Sequence, residues 1–421
     1  MKFFPGHLSG LTAAPASKSE SHRKMICAGL TAGTTTLTGF MDSEDMAATI
    51  RCLKALGTEV SIQGDAITLT GSGQRRVGTP YMDCGESGST LRFLVPIAMT
   101  MANGGVFQMH GRLGQRPMDV YRDLFVPRGA SWWMGSGPDG AAELHVQGRL
   151  NAGNYVLPGN VSSQFVSGLL FSLPMLSGDS RLQVKPPVES SAYIDMTVKA
   201  LLESGITLQE EGPYTWVIPG NQRYHAVSGP LTGDYSQGAV YLCAAALGND
   251  VKVTGLEKDT VQGDRAVIDC LQKLGAVVTE DESGIAVKAE QLHGATLDMS
   301  GCPDIAPIVA LTCQLAGGTS RLTGCGRLKL KECDRLEGTV TILNQLGGCA
   351  RVEGDTLVVE GVDKLKGGVV IDAMNDHRMV MLASIAALRC DEPIVIQGVE
   401  ALHKSWPAYL DTYKQLGGHI E

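Results

Sequence analysis

Leu53-Lys54-Ala55-Leu56-Gly57 closes a helical pattern on a glycine, and the residues after it, Thr58 to Thr70, mix polar and apolar side chains like a hairpin with one buried face. The phrase returns as Val126-Pro127-Arg128-Gly129, Leu201-Leu202-Glu203-Ser204-Gly205, Leu271-Gln272-Lys273-Leu274-Gly275, Leu343-Asn344-Gln345-Leu346-Gly347 and Tyr413-Lys414-Gln415-Leu416-Gly417. The glycines at 57, 129, 205, 275, 347 and 417 are 72, 76, 70, 72 and 70 residues apart. So regular a period implies six copies of one supersecondary unit. Glycine after a helix is what a left-handed C-cap requires.

A second marker runs in phase. An apolar helix ends in a Gly or Asp turn and leads into a short strand, at Gly33 to Gly39, Gly104 to Gly111, Gly178 to Lys185, Gly248 to Gly255, Gly317 to Gly324 and Asp391 to Gly398. Each unit therefore reads helix-strand-helix-strand-strand, an α/β architecture. One helix type is apolar nearly all round, as in Phe165 to Leu176 and Ile305 to Leu315, and should be buried on every side. The other, as in Ser43 to Leu56 and Leu336 to Leu346, is amphipathic. The sixth unit stops short of its last strand at Gly417-Gly418-His419-Ile420-Glu421, and Lys2 to Leu11 is placed to supply it. Two three-repeat domains are expected, 14–232 and 1–13 with 233–421, joined near Thr12-Ala13-Ala14-Pro15 and Ser228-Gly229-Pro230-Leu231.

The 421 residues carry a net charge of −9, which argues against a nucleic-acid partner. The eleven cysteines form no C-x-x-C pair and lie mostly in apolar runs, so they read as reduced thiols of a cytoplasmic protein. No Cys/His cluster suggests a metal site. Met1 to Gly10 lacks a signal-peptide core, and runs such as Val380 to Leu388 are too short to span a bilayer.

Ser17-Lys18-Ser19-Glu20-Ser21-His22-Arg23 opens an apolar run and gathers Lys18, Ser19 and Arg23 at a helix start, where free N–H groups and the dipole favour an anion. A capped surface helix with solvated charges is the competing reading. Lys18-Ser19 is not a P-loop, because the preceding Gly-x-x-x-x-Gly is missing. Other polar groups recur before helices: Glu86-Ser87-Gly88-Ser89, Gln115-Arg116-Pro117, Ser162-Ser163-Gln164, Ser190-Ser191, Asp304, Lys331-Glu332-Cys333-Asp334-Arg335, Asn375-Asp376-His377-Arg378 and His403-Lys404-Ser405. Taken singly, each Ser, Asp or Asn reads as a cap. Cations do not, because the dipole is already positive there. Lys18, Arg92, Arg116, Lys331, Arg335, Arg378 and Lys404 all fall at expected helix starts. The expectation is that they face one cleft between the domains and bind anions. Gly135-Ser136-Gly137-Pro138-Asp139-Gly140 matches G-x-G-x-x-G but has no helix after it and reads as a hairpin turn; Trp132-Trp133 reads as packing, and His377 as a helix-start hydrogen-bonder rather than a metal ligand.

In order and over essentially the whole chain, these motifs resemble the EPSP synthase family of enolpyruvyl transferases. The most specific pieces are Ser17-Lys18-Ser19 with Arg23, Val161-Ser162-Ser163-Gln164-Phe165, Lys331-Glu332 with Asp334-Arg335, and Asn375-Asp376-His377-Arg378-Met379. The resemblance implies a two-domain inside-out α/β barrel. It implies transfer of the enolpyruvyl group of phosphoenolpyruvate to the 5-hydroxyl of shikimate 3-phosphate, through a tetrahedral intermediate, in the shikimate pathway. Shikimate 3-phosphate would be held by Lys18, Ser19, Arg23, Ser162, Ser163, Gln164, Ser190, Asp304, Arg327 and Lys331, and phosphoenolpyruvate by Lys18, Gly88, Arg116, Gln164, Arg335, Arg378 and Lys404. Asp304 as base and Glu332 as acid would move protons, with Lys18 beside them. The resemblance also implies a monomer with no cofactor or metal, no nucleic-acid or membrane partner, and competition by glyphosate against phosphoenolpyruvate.

Three places depart from the family pattern: Glu86-Ser87-Gly88-Ser89 for Asn-Ala-Gly-Thr, Ser190-Ser191-Ala192-Tyr193 for Ser-Lys-Pro-Tyr, and Arg327 for a frequent Asn. UDP-N-acetylglucosamine enolpyruvyl transferase is the nearest alternative, but its Lys-Asn reads Lys18-Ser19 here and its loop cysteine is missing from Gly111-Arg112-Leu113-Gly114-Gln115. A non-catalytic anion-binding repeat protein is the other alternative; retention of both Asp304 and Glu332 counts against it.

Overall fold

The computed structural model describes residues 1–421. The chain divides into two compact units, Lys18–Leu231 and Met1–Ser17 with Thr232–Glu421.

Lys18–Leu231 contains three repeats. The first runs helix Lys18–Leu30, strand Ala32–Thr38, helix Glu44–Ala55 and hairpin Glu59–Gln63 with Ala66–Ser72. The second runs Gly88–Met101, Gly104–Met109, Asp119–Phe125 and the hairpin Ser131–Ser136 with Ala142–Gln147. The third runs Ser163–Ser172, Ser180–Lys185, Ala192–Glu203 and Gln209–Gly212 with Thr215–Ile218. Each sheet has a fourth, short strand lying parallel to the central one: Tyr81–Asp83 beside Gly104–Met109, Asn154–Pro158 beside Ser180–Lys185, and Gly229–Pro230 beside Ala32–Thr38. These strands were not anticipated from sequence. The last of them returns the chain to the first sheet and closes the unit.

The other unit repeats the plan with the helix pairs Tyr235–Ala246 and Val267–Lys273, Ala306–Gln314 and Arg335–Gln345, and His377–Ala387 and Tyr409–Gln415. Its last sheet is completed from both ends of the chain. Lys2 and Phe3 pair antiparallel with Val395 and Ile394, Ile420 bridges Phe3, and Lys2 N donates to Glu421 O at 2.6 Å. Ser9–Ala13 lies parallel to Asp250–Thr254.

The two helix types are distinct. Every residue of Tyr235–Ala246, Ala306–Gln314 and His377–Ala387 is buried, and these three helices pack on one another. Arg335–Gln345 buries only Arg335, Leu336, Gly338, Thr339, Ile342 and Leu343, one stripe at helical spacing. Strands such as Ala66–Ser72 alternate buried and partly exposed positions, as expected for sheets covered on one face. The six repeat glycines all take φ between +78° and +100°. A further crowded glycine, Gly361, follows the hairpin strand Thr356–Glu360, and a Cβ there would lie 1.6 Å from Ala316 O. Gly137 to Gly140 forms the turn between Ser131–Ser136 and Ala142–Gln147, so that glycine cluster serves a hairpin. All eleven cysteines are free and only Cys349 is exposed. Trp133 is not core packing: it is 47% exposed and stacks on His145.

Three expected helix-start cations lie elsewhere. Arg116 follows the 3-10 turn Leu113–Gln115, Lys331 follows the turn Gly326–Leu330, and Lys404 ends the turn Val399–Lys404. The α-helices after them begin at Asp119, Arg335 and Tyr409. Single-turn helices carry too few residues to show a period, so nothing in the sequence marks them ahead of these cations.

Candidate functional site

In Lys18–Leu231, Lys18 is the first residue of its helix and donates from Nζ to Asp45 Oδ2 at 2.7 Å. Arg23 lies one turn on, 2% exposed. Its Nε donates to Thr197 Oγ1 at 2.8 Å, and its two terminal nitrogens donate to Ser19 O and Tyr193 O at 2.7 Å each. Burial lowers its pKa to about 10, which leaves it charged at neutral pH. Arg23 therefore fixes the Ser19 backbone. His22, between the two cations, pairs through Nδ1 with Thr49 Oγ1 at 2.8 Å. Burial, then the charges of Lys18 and Arg23, hold its pKa well below the ordinary value and the ring neutral.

The helix Gly88–Met101 is capped by Ser87, whose side chain accepts from Thr90 N. Ser163–Ser172 is capped by Ser162 accepting from Gln164 N. Gln164 joins these two helix starts: its Oε1 accepts from Arg92 at 2.7 Å and its Nε2 donates to Ser89 Oγ at 2.9 Å. Arg116 lies against Gly88, where a Cβ would stand 2.7 Å from its Nη1. The Arg116 Nε–H is buried with no partner. An orphaned guanidinium donor of this kind calls for an acceptor. Ser190 is buried with φ +52°, a left-handed conformation uncommon outside glycine.

In the other unit Arg335 is a hub. Its Nε donates to Asp376 Oδ2, one terminal nitrogen to Asp304 Oδ1 and the other to Glu332 Oε2, each at 2.7 Å. Lys331 Nζ donates to the same Asp304 Oδ1 at 2.8 Å. Burial by itself raises the Asp304 carboxyl, but Lys331, Arg335 and Arg378 outweigh it and hold the group well below the usual carboxylate range. Asp304 is therefore an anion at neutral pH. Burial lowers Lys331, with Asp304 opposing.

Asp376 caps His377–Ala387 by accepting from Arg378 N. Arg378 donates to Ser236 O at 2.7 Å, and its Nε–H is also buried without a partner. Lys404 donates to Asn375 O at 2.8 Å, in a Met374-Asn375 pair with φ +54° and +55°. Arg327 lies half-buried in the 3-10 turn Gly326–Leu330.

Two clusters thus form, one in each unit. Lys18, Ser19 and Arg23 come together, as do Gly88 with Arg116 and Gln164 with Arg92 and Ser89. Asp304, Lys331, Glu332 and Arg335 form one network. Sequence did not find Asp45 or the role of Asp376 as a buried partner of Arg335. Asp45 lies in the first turn of Glu44–Ala55, where the dipole favours an acid whatever its partner, so nothing local marks it.

A family model for EPSP synthase (3-phosphoshikimate 1-carboxyvinyltransferase) matches residues 4–413. A 3-phosphoshikimate 1-carboxyvinyltransferase of Clostridium beijerinckii is 38% identical, over 99% of this chain and 97% of its own. That of Clostridioides difficile is 36% identical over 100% and 98%. Among solved structures, the EPSP synthase of Acinetobacter baumannii superposes with a TM-score of 0.81 at 25% identity, covering 99% and 98%. The enolpyruvyl transferase NikO of Streptomyces tendae shares the fold, with a TM-score of 0.79 at 19% identity over 100% and 98%. With the Lys18, Gln164 and Arg335 networks in place and a family match from end to end, the chain belongs to the EPSP synthase family, the 3-phosphoshikimate 1-carboxyvinyltransferases.

Proposed function

We propose that the Lys18 and Arg335 clusters serve a single reaction, the transfer of the enolpyruvyl group of phosphoenolpyruvate to the 5-hydroxyl of shikimate 3-phosphate with release of phosphate. Family membership makes the chain an enolpyruvyl transferase of the shikimate pathway. The observation that carries the division of labour is Asp304, an anion shared between Lys331 and Arg335.

Each substrate combines a carboxylate with a phosphate monoester, about −2.5 to −3 at neutral pH. In the proposed assignment Lys18, Ser19, Arg23, Ser162, Ser163, Gln164, Ser190, Asp304, Arg327 and Lys331 hold shikimate 3-phosphate. Lys18, Gly88, Arg116, Gln164, Arg335, Arg378 and Lys404 hold phosphoenolpyruvate. Arg116 and Arg378 of the phosphoenolpyruvate set each keep a buried Nε–H without a partner, a feature they share with Arg265 outside it.

Asp304 takes the proton of the 5-hydroxyl as its oxygen attacks C2, and Glu332 gives a proton to C3. In the elimination the Glu332 carboxylate takes a proton back from the C3 methyl of the tetrahedral phosphate ketal as the C2–O bond to phosphate breaks, and Asp304 returns its proton to the departing phosphate. At rest Asp304 is held too acidic to be a strong base. Substrate anions that draw on Lys331 and Arg378 relieve that hold and raise its basicity. Glu332 accepts from Arg335 Nη2 at 2.7 Å.

We take the chain to act as a cytoplasmic monomer without metal or cofactor, open to competition by glyphosate against phosphoenolpyruvate. Its free cysteines suit a reducing compartment, and no helix is long and apolar enough to cross a membrane. A phosphate-release assay with both substrates tests the proposal. Turnover that needs both together supports it; turnover with UDP-N-acetylglucosamine in place of shikimate 3-phosphate, or none, refutes it.

A further inference from the structure

Gln262-Gly263-Asp264 has no part in the assignment above, yet it clamps the start of the buried helix Tyr235–Ala246. Gln262 Oε1 accepts from Tyr235 N at 3.0 Å, and its Nε2 donates to Gly233 O at 2.8 Å. Asp264 Oδ2 accepts from Ser236 Oγ at 2.5 Å. The carbonyl of the same Ser236 accepts from Arg378 Nη1 at 2.7 Å. Asp264, Ser236 and Arg378 are 4%, 8% and 7% exposed, so little water competes along this path. The 3-10 turn Gly263–Ala266 also packs on the turn Pro303–Ile305, which carries Asp304.

We propose that Asp264 is a positioning residue of the transfer reaction: through Ser236 it fixes the carbonyl that aims Arg378 at phosphoenolpyruvate, and its charge is shared with Asp304 across the same arginine. This inference rests on the reading of Arg378 and Asp304 given above. A buried carboxylate so close to an anion-binding arginine looks counterproductive. The geometry explains it: the buried Ser236 hydroxyl needs an acceptor to keep a helix start in one rotamer, and an Asp264 oxygen supplies it.

The charges acting most strongly on Asp264 are those of Asp304, Arg378 and Asp234. Burial and then Asp304 raise its pKa to about 6, with the Ser236 hydrogen bond and then Arg378 opposing. Below that pH the neutral acid leaves the whole charge of Arg378 for the ligand. Above it the carboxylate takes a share, and affinity for an anion at Arg378 falls.

The test is steady-state kinetics for both substrates across pH 5 to 9, with Asp264→Ala, Asp264→Asn, Ser236→Ala and Arg378→Gln. Asp264→Ala and Ser236→Ala should raise KM for phosphoenolpyruvate about tenfold, as expected for loss of a charge-assisted hydrogen bond. KM for shikimate 3-phosphate should stay within about twofold. Asp264→Asn keeps an acceptor for Ser236 and should restore most of the affinity. The ratio of wild-type to Asp264→Asn KM for phosphoenolpyruvate should rise through about pH 6, with the substrate's own ionisation cancelling. Arg378→Gln separates the two levels. If it raises KM for phosphoenolpyruvate while Asp264→Ala and Ser236→Ala do not, the inference alone is overturned. If all three are silent, the reading of Arg378 goes with it. An equal rise in KM for both substrates, or a lowered melting temperature with unchanged kinetics, makes Asp264 merely structural and also overturns the inference.

Discussion

Arg335 Nε donates to Asp376 Oδ2 at 2.7 Å, and the two side chains are only 2% and 0% exposed. The same guanidinium also reaches Asp304 and Glu332, so one cation satisfies three carboxylates. Removing it leaves the Asp376 carboxylate, 0% exposed, stranded without its cation. Arg335→Ala should lower stability by about 3–5 kcal/mol and cut kcat/KM by about 100-fold or more. Arg335→Lys should recover little of either, because an ammonium cannot serve three directions set by a planar fork. Urea unfolding and phosphate-release kinetics on the same samples check both, and near-normal kinetics would refute the placement of Arg335.

Lys18 offers a contrast. Its partner Asp45 is 13% exposed and Lys18 itself 19%, so water reaches both. Lys18→Ala should therefore cost less stability than Arg335→Ala while still lowering kcat/KM by about 100-fold or more. A melting curve close to wild type alongside collapsed activity is the expected pair of results.

Gly88→Ala would place a Cβ 2.7 Å from Arg116 Nη1. The obstructing atom is the far end of a side chain, so the fold should survive and Arg116 should move. The expected outcome is a higher KM for phosphoenolpyruvate with KM for shikimate 3-phosphate little changed. Equal effects on both substrates would argue against Arg116 in the phosphoenolpyruvate set.

Gly361→Ala addresses the fold alone. Its Cβ would fall 1.6 Å from Ala316 O, a backbone atom that cannot turn aside. A loss of several kcal/mol is expected, read as a shifted denaturation midpoint; wild-type stability would mean that the hairpin end relaxes freely.

His22 predicts a pH dependence of stability. Its folded pKa is depressed below 6.5, chiefly by burial. Above 6.5 the ring is neutral in both states and its contribution is fully present. As the pH falls below 6.5 the unfolded chain takes up a proton that the folded chain refuses, and stability drops. His22→Leu should flatten the loss of stability between about pH 6.5 and 5; an unchanged slope would show that other groups account for it.

Much of this was legible in the sequence because it repeats. A glycine after each amphipathic helix, in six copies, and a nearly all-apolar helix in five of the six units are signals that add up. Tyr81–Asp83 and its relatives were missed because strands of two to five residues carry too little alternation to read. At the site, the cations stood out because Lys18, Arg335 and Arg378 violate the helix-dipole preference. Their counter-ions did not, because Asp45 and Asp376 sit where helix starts favour acids anyway. Nothing local in Asp376 or Arg335 reveals that residues 41 positions apart share a hydrogen bond. Such pairings belong to the packing of one repeat on the next.

The Lys18–Asp45 pair sets a condition on whatever docks there. An ammonium already held by a carboxylate is not an open trap for any passing anion. Under the proposed assignment, an incoming oxygen must displace or share the Asp45 oxygen, so a weakly charged ligand gains little while a phosphate dianion gains more. Asp45 then behaves as a gatekeeper, letting the strength of the visitor's charge decide admission.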